Sequence, residues 1–108
     1  MVHAITPRDL ARRMANGHAV YLLDVRQPGE HATAALPGSV LIPLNELAAR
    51  VEEIKPPEGA LMVVYCHHGV RSQSAAALLD RLGLGNVASL AGGIDAWSCE
   101  VDPDIPRY

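Results

Sequence analysis

Two uninterrupted apolar runs constrain the fold more than any other feature of this sequence. Residues 19–23 read AVYLL and residues 61–65 read LMVVY, without the polar alternation of a half-exposed strand. A strand with this pattern is covered on both faces, as in a parallel sheet. Parallel neighbours need long crossover connections, and segments with helical spacing lie between the runs. The sequence therefore predicts an α/β fold with a parallel sheet and helices on both sides.

Shorter apolar runs and capping residues place the remaining elements. Residues 40–42 and 87–90 predict two more strands. Thr6 suits a helix N-cap, Pro7 suits the first helical position, and Gly17 ends that helix. A turn is predicted at Pro28 and Gly29, and a helix capped by Asn45 is predicted to run through Ile54 and to stop at Pro56. A further helix is predicted after residue 70 and ends at Gly83. A last helical piece around Trp97 is followed by an extended tail over residues 101–108.

Length and composition restrict the class of protein. A chain of 108 residues predicts one domain over residues 1–108, and 49% hydrophobic with 19% charged residues argue against disorder. The formal net charge of −3 and the scarcity of aromatic residues disfavour nucleic acid as a partner. No apolar stretch is long enough for a membrane span, and the first residues lack the pattern of a signal peptide, so we expect a cytoplasmic protein with no membrane partner.

The cysteines and histidines raise disulfide formation and metal binding as alternatives. Cys66 and Cys99 are expected to be reduced, since a chain with this many apolar residues does not need a disulfide framework. Cys99 is most simply a tail residue, or a resolving thiol if it lies close to Cys66. Although Cys66, His67 and His68 are adjacent, structural zinc sites use spaced pairs such as C-x2-C, which are missing. We therefore expect no metal and no cofactor.

Cys66 is the best candidate for a reactive residue, because it directly follows an apolar run and precedes a loop that leads into a helix. The first N–H groups of a helix lack intrahelical partners and carry partial positive charge, so they favour a thiolate. Gly69 permits backbone angles that turn successive amides inward, and Arg71 adds a cation. The alternative is a buried cysteine that acts only as a small hydrophobic residue.

A polar residue follows each of the two long apolar runs. Asp24 comes directly after residues 19–23, and Cys66 comes directly after residues 61–65. Ligands of parallel sheets bind beyond the carboxyl ends of the strands, so both residues are predicted to lie at one edge. We expect a site there, with the loop amides pointing at the sulfur and the Cys66 side chain open to solvent.

Four segments resemble the rhodanese family of sulfurtransferases, and together they extend over nearly the whole chain. They are Asp24-Val25-Arg26 followed by Glu30, Pro37-Gly38-Ser39 with Ile42-Pro43-Leu44, the six-residue loop from Cys66 to Arg71, and Gly92-Gly93 followed by Trp97. The chain departs from the family pattern at Ala34-Ala35-Leu36, where Gly-His-Ile is usual. The resemblance implies a three-layer α/β/α fold with a central, mostly parallel sheet of about five strands.

The resemblance implies a sulfurtransferase that moves a sulfane sulfur from thiosulfate or a related donor to cyanide or a thiol acceptor. In that reaction Cys66 is the catalytic nucleophile and carries the sulfur as a persulfide. The amides of the loop would hold the charged sulfur, Arg71 would hold the anionic donor, and Ser72 would cap the helix. The implied substrate-binding residues are His67, His68, Gly69, Val70, Arg71 and Ser72.

Four polar side chains have two interpretations each. Asp24 and Arg26 are predicted to form a buried ion-pair network with Glu30 that braces the site, and direct substrate contact is the alternative for Asp24 and Arg26. His67 and His68 are predicted to shape access to the loop and to add partial positive charge. General-base catalysis is the alternative for these two, since imidazole titrates near neutral pH.

Two other functions fit parts of the pattern. The first is a persulfide carrier for a sulfur-trafficking partner, because residues 101–108 resemble the tail of rhodanese domains appended to sulfur-carrier-activating enzymes; a protein is then the sulfur acceptor. The second is a phosphatase or arsenate reductase with a cysteine loop that ends in arginine. Those loops have one residue more than the four between Cys66 and Arg71. The shorter loop is expected to suit a single sulfur better than three phosphate oxygens.

Overall fold

A computed structural model describes residues 3–108 and contains a sheet of five parallel strands. The strands are β1 (His3–Ile5), β2 (Val20–Asp24), β3 (Val40–Leu41), β4 (Leu61–Tyr65) and β5 (Val87–Leu90), in the spatial order β1-β5-β4-β2-β3. The helices are α1 (Pro7–Ala15), α2 (Pro28–Thr33), α3 (Val70–Arg81) and α4 (Gly93–Glu100). The predicted parallel sheet with helices between its strands is confirmed.

The sheet separates two hydrophobic cores. On one face, Leu10 of α1 and Ile94 of α4 pack in the same cluster as Val63 of β4. On the other face, Leu79 of α3 packs in the same cluster as Val64 of β4. Neighbouring residues of one strand point to opposite faces, so a run without polar residues supplies both cores. The predicted three-layer α/β/α arrangement follows from this burial.

The two long strands bring their carboxyl ends to the same edge of the sheet. β2 and β4 are parallel neighbours, and Asp24 lies opposite Tyr65 in their register. Cys66 is the next residue after β4, and the N–H of Val25 donates to the carbonyl of Tyr65 at 3.1 Å. Asp24 and Cys66 therefore leave the sheet side by side, as the sequence predicts.

The connection from β3 to β4 differs from the prediction. In place of a helix capped by Asn45, it contains two 3-10 turns, Leu44–Glu46 and Val51–Glu53, and Asn45 lies inside the first. A 3-10 turn rises about 2.0 Å per residue, against about 1.5 Å in an α-helix, so the same residues span a longer distance. Leu47 and Ile54 still reach the core beneath α3.

Two short elements lie where no helix or strand is predicted. The predicted turn at Pro28 and Gly29 is instead the start of α2, because proline suits the first helical position. The carboxylate of Glu30 accepts the N–H of Gln27 at 3.1 Å and completes this helix start. The other element, β1, has three residues and pairs with β5 at the edge of the sheet. A strand of that length carries too little periodicity to be recognised from sequence.

The tail after α4 turns back on itself, so the prediction of an extended tail is wrong. The N–H of Ile105 donates to the carbonyl of Asp102 at 3.1 Å, and the hydroxyl of Ser98 donates to the carbonyl of Ile105. Ile105 is buried in the same core as α1 and α4. Burial of this one apolar side chain anchors the tail, which then carries Tyr108 to the edge that holds Cys66.

Candidate active site

The loop after Cys66 directs two backbone amides at the sulfur. The N–H of Gly69 donates to Sγ of Cys66 at 3.1 Å, and the N–H of Ser72 does so at 3.3 Å. Gly69 has φ +101°, a backbone conformation that is strongly unfavourable for residues other than glycine. The predicted inward orientation of the amides is therefore present in the structure. A cysteine that served only as a small hydrophobic residue would not need these donors.

The start of α4 fixes the same loop from the other side. The N–H of Ile94 donates to the carbonyl of Cys66 at 2.9 Å, and the N–H of Asp95 donates to the carbonyl of His67 at 3.1 Å. Two of the free donors of this helix terminus are thus used to hold loop carbonyls. With those carbonyls directed at α4, the amides that follow in the loop are left to face the sulfur.

The Cys66 side chain is buried, which contradicts the expectation that it is open to solvent. Cys66 is 1% exposed and packs in the core beneath α3. The contradiction has a physical reason, since the last residue of a fully covered strand lies deep and the loop closes around its sulfur. A sulfur donor therefore has little direct access to the side chain of Cys66 in this arrangement.

Ser72 does not cap α3, contrary to the sequence prediction. Gly69 occupies the N-cap position, and the hydroxyl of Ser72 lies inside the helix, where it donates to the carbonyl of Gly69 at 3.1 Å. The same hydroxyl contacts Oγ of Ser89 on β5 at 2.7 Å. Ser72 therefore serves the site through its backbone N–H, while its hydroxyl ties the loop to the sheet. Val70, the first residue of α3, is exposed beside it.

Arg71 and Glu30 form a two-pronged ion pair at the rim of the site. Nη1 and Nη2 of Arg71 donate to the two carboxylate oxygens of Glu30 at 2.7 and 2.9 Å. These hydrogen bonds lower the pKa of Glu30 to about 2, against the opposing effect of burial. The cation predicted to hold an anionic donor is thus already paired. The carboxylate of Glu30 thus forms its ion pair with Arg71, whereas its carbonyl and the hydroxyl of Tyr108 connect it to Arg26 of the Asp24 network.

The lowered pKa of Glu30 makes folding stability depend on pH. Its pKa is about 2 in the folded protein and 4.5 for the free side chain, so the stabilisation is complete above about pH 4.5 and is lost as the pH falls toward 2. We expect a contribution of about 1 kcal/mol after allowance for solvent screening at this partly exposed pair. Urea unfolding at about pH 5 and about pH 3 measures the loss. Glu30→Gln should lose less stability over that interval than the unaltered protein, and equal losses would contradict the assignment.

Asp24 and Arg26 form a buried ion pair directly below the rim. Oδ1 of Asp24 accepts from Nε of Arg26 at 2.9 Å, and Oδ2 accepts from Nη2 at 2.7 Å; both side chains are fully buried. The guanidinium also donates to the carbonyl of Ala34, to the hydroxyl of Tyr108 at 2.6 Å, and to the carbonyl of Glu30 at 3.5 Å. Every donor of the guanidinium therefore has an acceptor, as a buried cation requires. This part of the predicted bracing network is present.

Three residues of this network were outside the sequence prediction. Nδ1 of His31 lies 2.8 Å from Oδ2 of Asp24. The ring of Tyr65 lies 5.3 Å from the guanidinium carbon of Arg26, and its hydroxyl contacts Oγ of Ser39 at 2.8 Å. The burial of Tyr65 raises the pKa of its phenol. The position of Tyr65 at the end of an apolar run was the available signal, since a buried phenol needs a polar partner.

The two loop histidines have different surroundings. Nδ1 of His68 lies 3.8 Å from Oδ2 of Asp95, whose carboxylate also accepts from Arg107 at 2.8 Å. The rings of His67 and His68 are stacked with centroids 4.0 Å apart. Burial and the neighbouring His68 lower the pKa of His67, which disfavours the partial positive charge that the sequence analysis assigns to its ring.

Tyr108 completes the rim from the tail. Its ring stacks on the ring of His67 with centroids 3.9 Å apart and planes 10° from parallel. Its hydroxyl donates to Oε2 of Glu30 at 2.9 Å and accepts from Arg26. Nothing in the local sequence assigns it this place, since the contact to His67 spans most of the latter half of the chain.

A cavity of about 570 Å³ lies at the opposite edge of the sheet from Cys66. Its lining includes His3, Leu61 and Val87, the first residues of β1, β4 and β5. None of the residues that line it is a cysteine, and parallel sheets bind ligands beyond the carboxyl ends of their strands, not at this edge. The candidate site therefore rests on the chemistry of the Cys66 loop and not on cavity volume.

Two further findings apply to residues 3–108. Within that range, no three or more histidine, cysteine or carboxylate side chains are grouped to bind a metal ion. Across the same range, every helix is too short or too polar to span a bilayer. The second thiol, Cys99, is free and exposed on α4.

Comparisons with known proteins agree with this geometry. Residues 6–100 match the family described as rhodanese-like domain. A sulfurtransferase from Allochromatium vinosum is 38% identical over 98 residues, which are 91% of this chain and 90% of that protein. The probable adenylyltransferase/sulfurtransferase MoeZ of Mycobacterium tuberculosis is 36% identical over 104 residues, which are 96% of this chain but only 26% of MoeZ.

A solved structure supports the fold in the same way. The crystal structure of a rhodanese-related protein from Thermoplasma volcanium superposes with a TM-score of 0.82 at 31% identity. The alignment covers 98% of this chain and 99% of that one. The two chains therefore share the arrangement of strands and helices from end to end.

Proposed function

The chain belongs to the rhodanese-like domain family of sulfurtransferases, and on that basis we propose that it transfers a sulfane sulfur through a persulfide on Cys66. The observation that carries the proposal is the pair of amides, Gly69 and Ser72, that donate to Sγ of Cys66. Donors fixed in this way stabilise negative charge on sulfur without reorganisation during the reaction. They serve the thiolate before transfer and the terminal persulfide sulfur after it.

In the first step the Cys66 thiolate attacks the outer sulfur of thiosulfate or a related donor. A bond forms between Sγ and that sulfur, the sulfur–sulfur bond of the donor breaks, and sulfite leaves with the bonding electron pair. The attack of the thiolate on sulfur itself moves no proton, so a general base such as His67 or His68 has no role in the bond exchange.

In the second step cyanide or a thiolate attacks the terminal sulfur of the persulfide. The persulfide bond breaks, its electron pair returns to Sγ, and the Cys66 thiolate is regenerated together with thiocyanate or a new persulfide. Since acceptor thiols must be reduced for this attack, we place the reaction in a reducing compartment such as the cytoplasm.

Sulfur transfer between proteins is the second candidate function, and one feature of the rim favours a protein over a small anion as the sulfur donor. Arg71 is already bound by Glu30, so a small anionic donor meets a neutralised pair instead of a free cation. The chain also spans about a quarter of MoeZ, whose name couples sulfur transfer to adenylyl transfer. In this form of the proposal the Cys66 persulfide passes its sulfur to a partner protein.

The mass of the protein after incubation with a sulfur donor tests the proposal. Thiosulfate is expected to add about 32 Da, the mass of one sulfur, to Cys66, and cyanide is expected to remove it. Cys66→Ser should gain no sulfur and show no thiosulfate:cyanide activity. Cys99→Ser is the matched control, because it removes the exposed thiol and should load normally. Loading from a protein persulfide but not from thiosulfate favours the carrier form, and loading of Cys66→Ser contradicts both forms.

A further inference from the structure

Because Cys66 is buried, a sulfur donor needs a path to its Sγ atom. The backbone of the loop is held by α4 through the carbonyls of Cys66 and His67, and the Asp24–Arg26 pair below it is fully buried. These parts cannot move without breaking the core. Tyr108 is the part of the rim that the core does not cover, because it is 40% exposed and belongs to the tail.

Tyr108 joins the two sides of the loop. Its ring lies flat on His67, the residue next to Cys66, at a centroid distance of 3.9 Å. Its hydroxyl binds Oε2 of Glu30 at 2.9 Å, and Glu30 in turn holds Arg71 at the other side of the loop. One side chain thus keeps both sides of the rim in the closed arrangement.

Among the buried side-chain nitrogen and oxygen atoms of residues 3–108, one has no hydrogen-bond partner in this arrangement. It is Nε2 of His67. A buried nitrogen in this state is destabilising, and such atoms are rare in folded proteins. Removal of the Tyr108 ring would open His67 to water, which partly offsets the hydrogen bonds lost by the phenol. Opening at Tyr108 therefore costs less than the loss of its two hydrogen bonds alone.

We propose that Tyr108 is a specificity-determining residue that selects sulfur donors and acceptors by size. The inference rests on the proposed function and deepens it. With the ring on His67, a small donor needs only a slight displacement of the rim to reach Sγ of Cys66. A bulky thiol or a protein persulfide reacts only after the ring has left His67 completely. Its rate is therefore reduced in proportion to the fraction of molecules that are in the open form.

The rate of Cys66 modification by thiol reagents of different size tests this proposal. All variants carry Cys99→Ser, which leaves Cys66 as the single thiol. Iodoacetamide is the small probe, 5,5′-dithiobis(2-nitrobenzoic acid) is the bulky one, and intact mass identifies the product. Tyr108→Ala is expected to raise the bulky-to-small rate ratio about tenfold, since thiol–disulfide exchange depends on access to the attacking sulfur. Tyr108→Phe keeps the stacked ring but loses both hydroxyl hydrogen bonds, and it should raise the ratio by less.

The outcomes distinguish control of access to Cys66 by Tyr108 from a purely structural role of this residue. An unchanged ratio, or equal acceleration of both probes by Tyr108→Ala, would show that Tyr108 merely supports Arg26 and would overturn the proposal. If Tyr108→Ala does not fold, Tyr108→Phe decides by the same ratio. Because neither alkylation nor disulfide exchange needs sulfur transfer, the result is independent of the proposed function, whose own test is sulfur loading of Cys66 and the absence of loading in Cys66→Ser.

Discussion

Replacing Gly93 with alanine is expected to destabilise the protein by about 2–5 kcal/mol, the sum of left-handed backbone strain and a steric clash. Gly93 has φ +63°, and a Cβ built there lies 2.4 Å from the carbonyl oxygens of both Cys66 and His67. Relief of the clash has to move those carbonyls away from α4 and weaken their hydrogen bonds from Ile94 and Asp95. The loop then shifts, and its amides turn away from the sulfur. Urea unfolding and sulfur loading by intact mass measure both effects.

Two other glycines separate the causes of this effect. Gly17 has φ +77° but open space around its Cβ position, so Gly17→Ala reports backbone strain alone, about 1–2 kcal/mol. Gly29 lies in α2 with open space and no positive φ, so Gly29→Ala should be neutral or stabilise by about 0.5–1 kcal/mol. If Gly93→Ala costs no more than Gly17→Ala and still loads sulfur, the close approach of α4 to the loop is not needed.

Local signals explain what could be predicted from the sequence. The N-cap by Thr6 and the inward amides enabled by Gly69 depend on residues within a few positions of each other. The parallel sheet follows from the uninterrupted apolar runs, and the shared edge of Asp24 and Cys66 follows from the parallel sheet. Each step needs only chain-local chemistry and one rule of topology.

Contacts between distant residues explain what could not be predicted. Arg71 binds Glu30, which lies 41 positions away in the sequence, and Tyr108 binds Arg26, which lies 82 positions away. The sequence analysis groups Glu30 with Arg26, and the packed structure pairs its carboxylate with Arg71 instead. The depth of Cys66 likewise depends on what covers the sheet edge, and the folded tail that carries Tyr108 there is set by the burial of Ile105.

Replacing Asp24 with alanine is expected to cost about 3–5 kcal/mol, because it leaves the buried cation of Arg26 without its counter-ion. Asp24 accepts three hydrogen bonds from Arg26, counting its backbone N–H. Arg26→Met should be similarly costly, since the carboxylate is then left buried. The double variant is expected to lose less stability than the sum of the two, by about 1–3 kcal/mol, as coupled buried partners do. Urea unfolding of the four proteins gives this coupling energy.

An exposed pair of the same chemistry provides the control. Nη1 of Arg12 binds Oδ1 of Asp9 at 3.0 Å on α1, where both side chains are largely exposed. Arg12→Ala is expected to change stability by no more than about 1 kcal/mol, because solvent screens the pair. The contrast isolates burial as the cause, since charge and residue types match. If Asp24→Ala costs as little as Arg12→Ala, water reaches Arg26, and the ion pair does not brace the floor of the site.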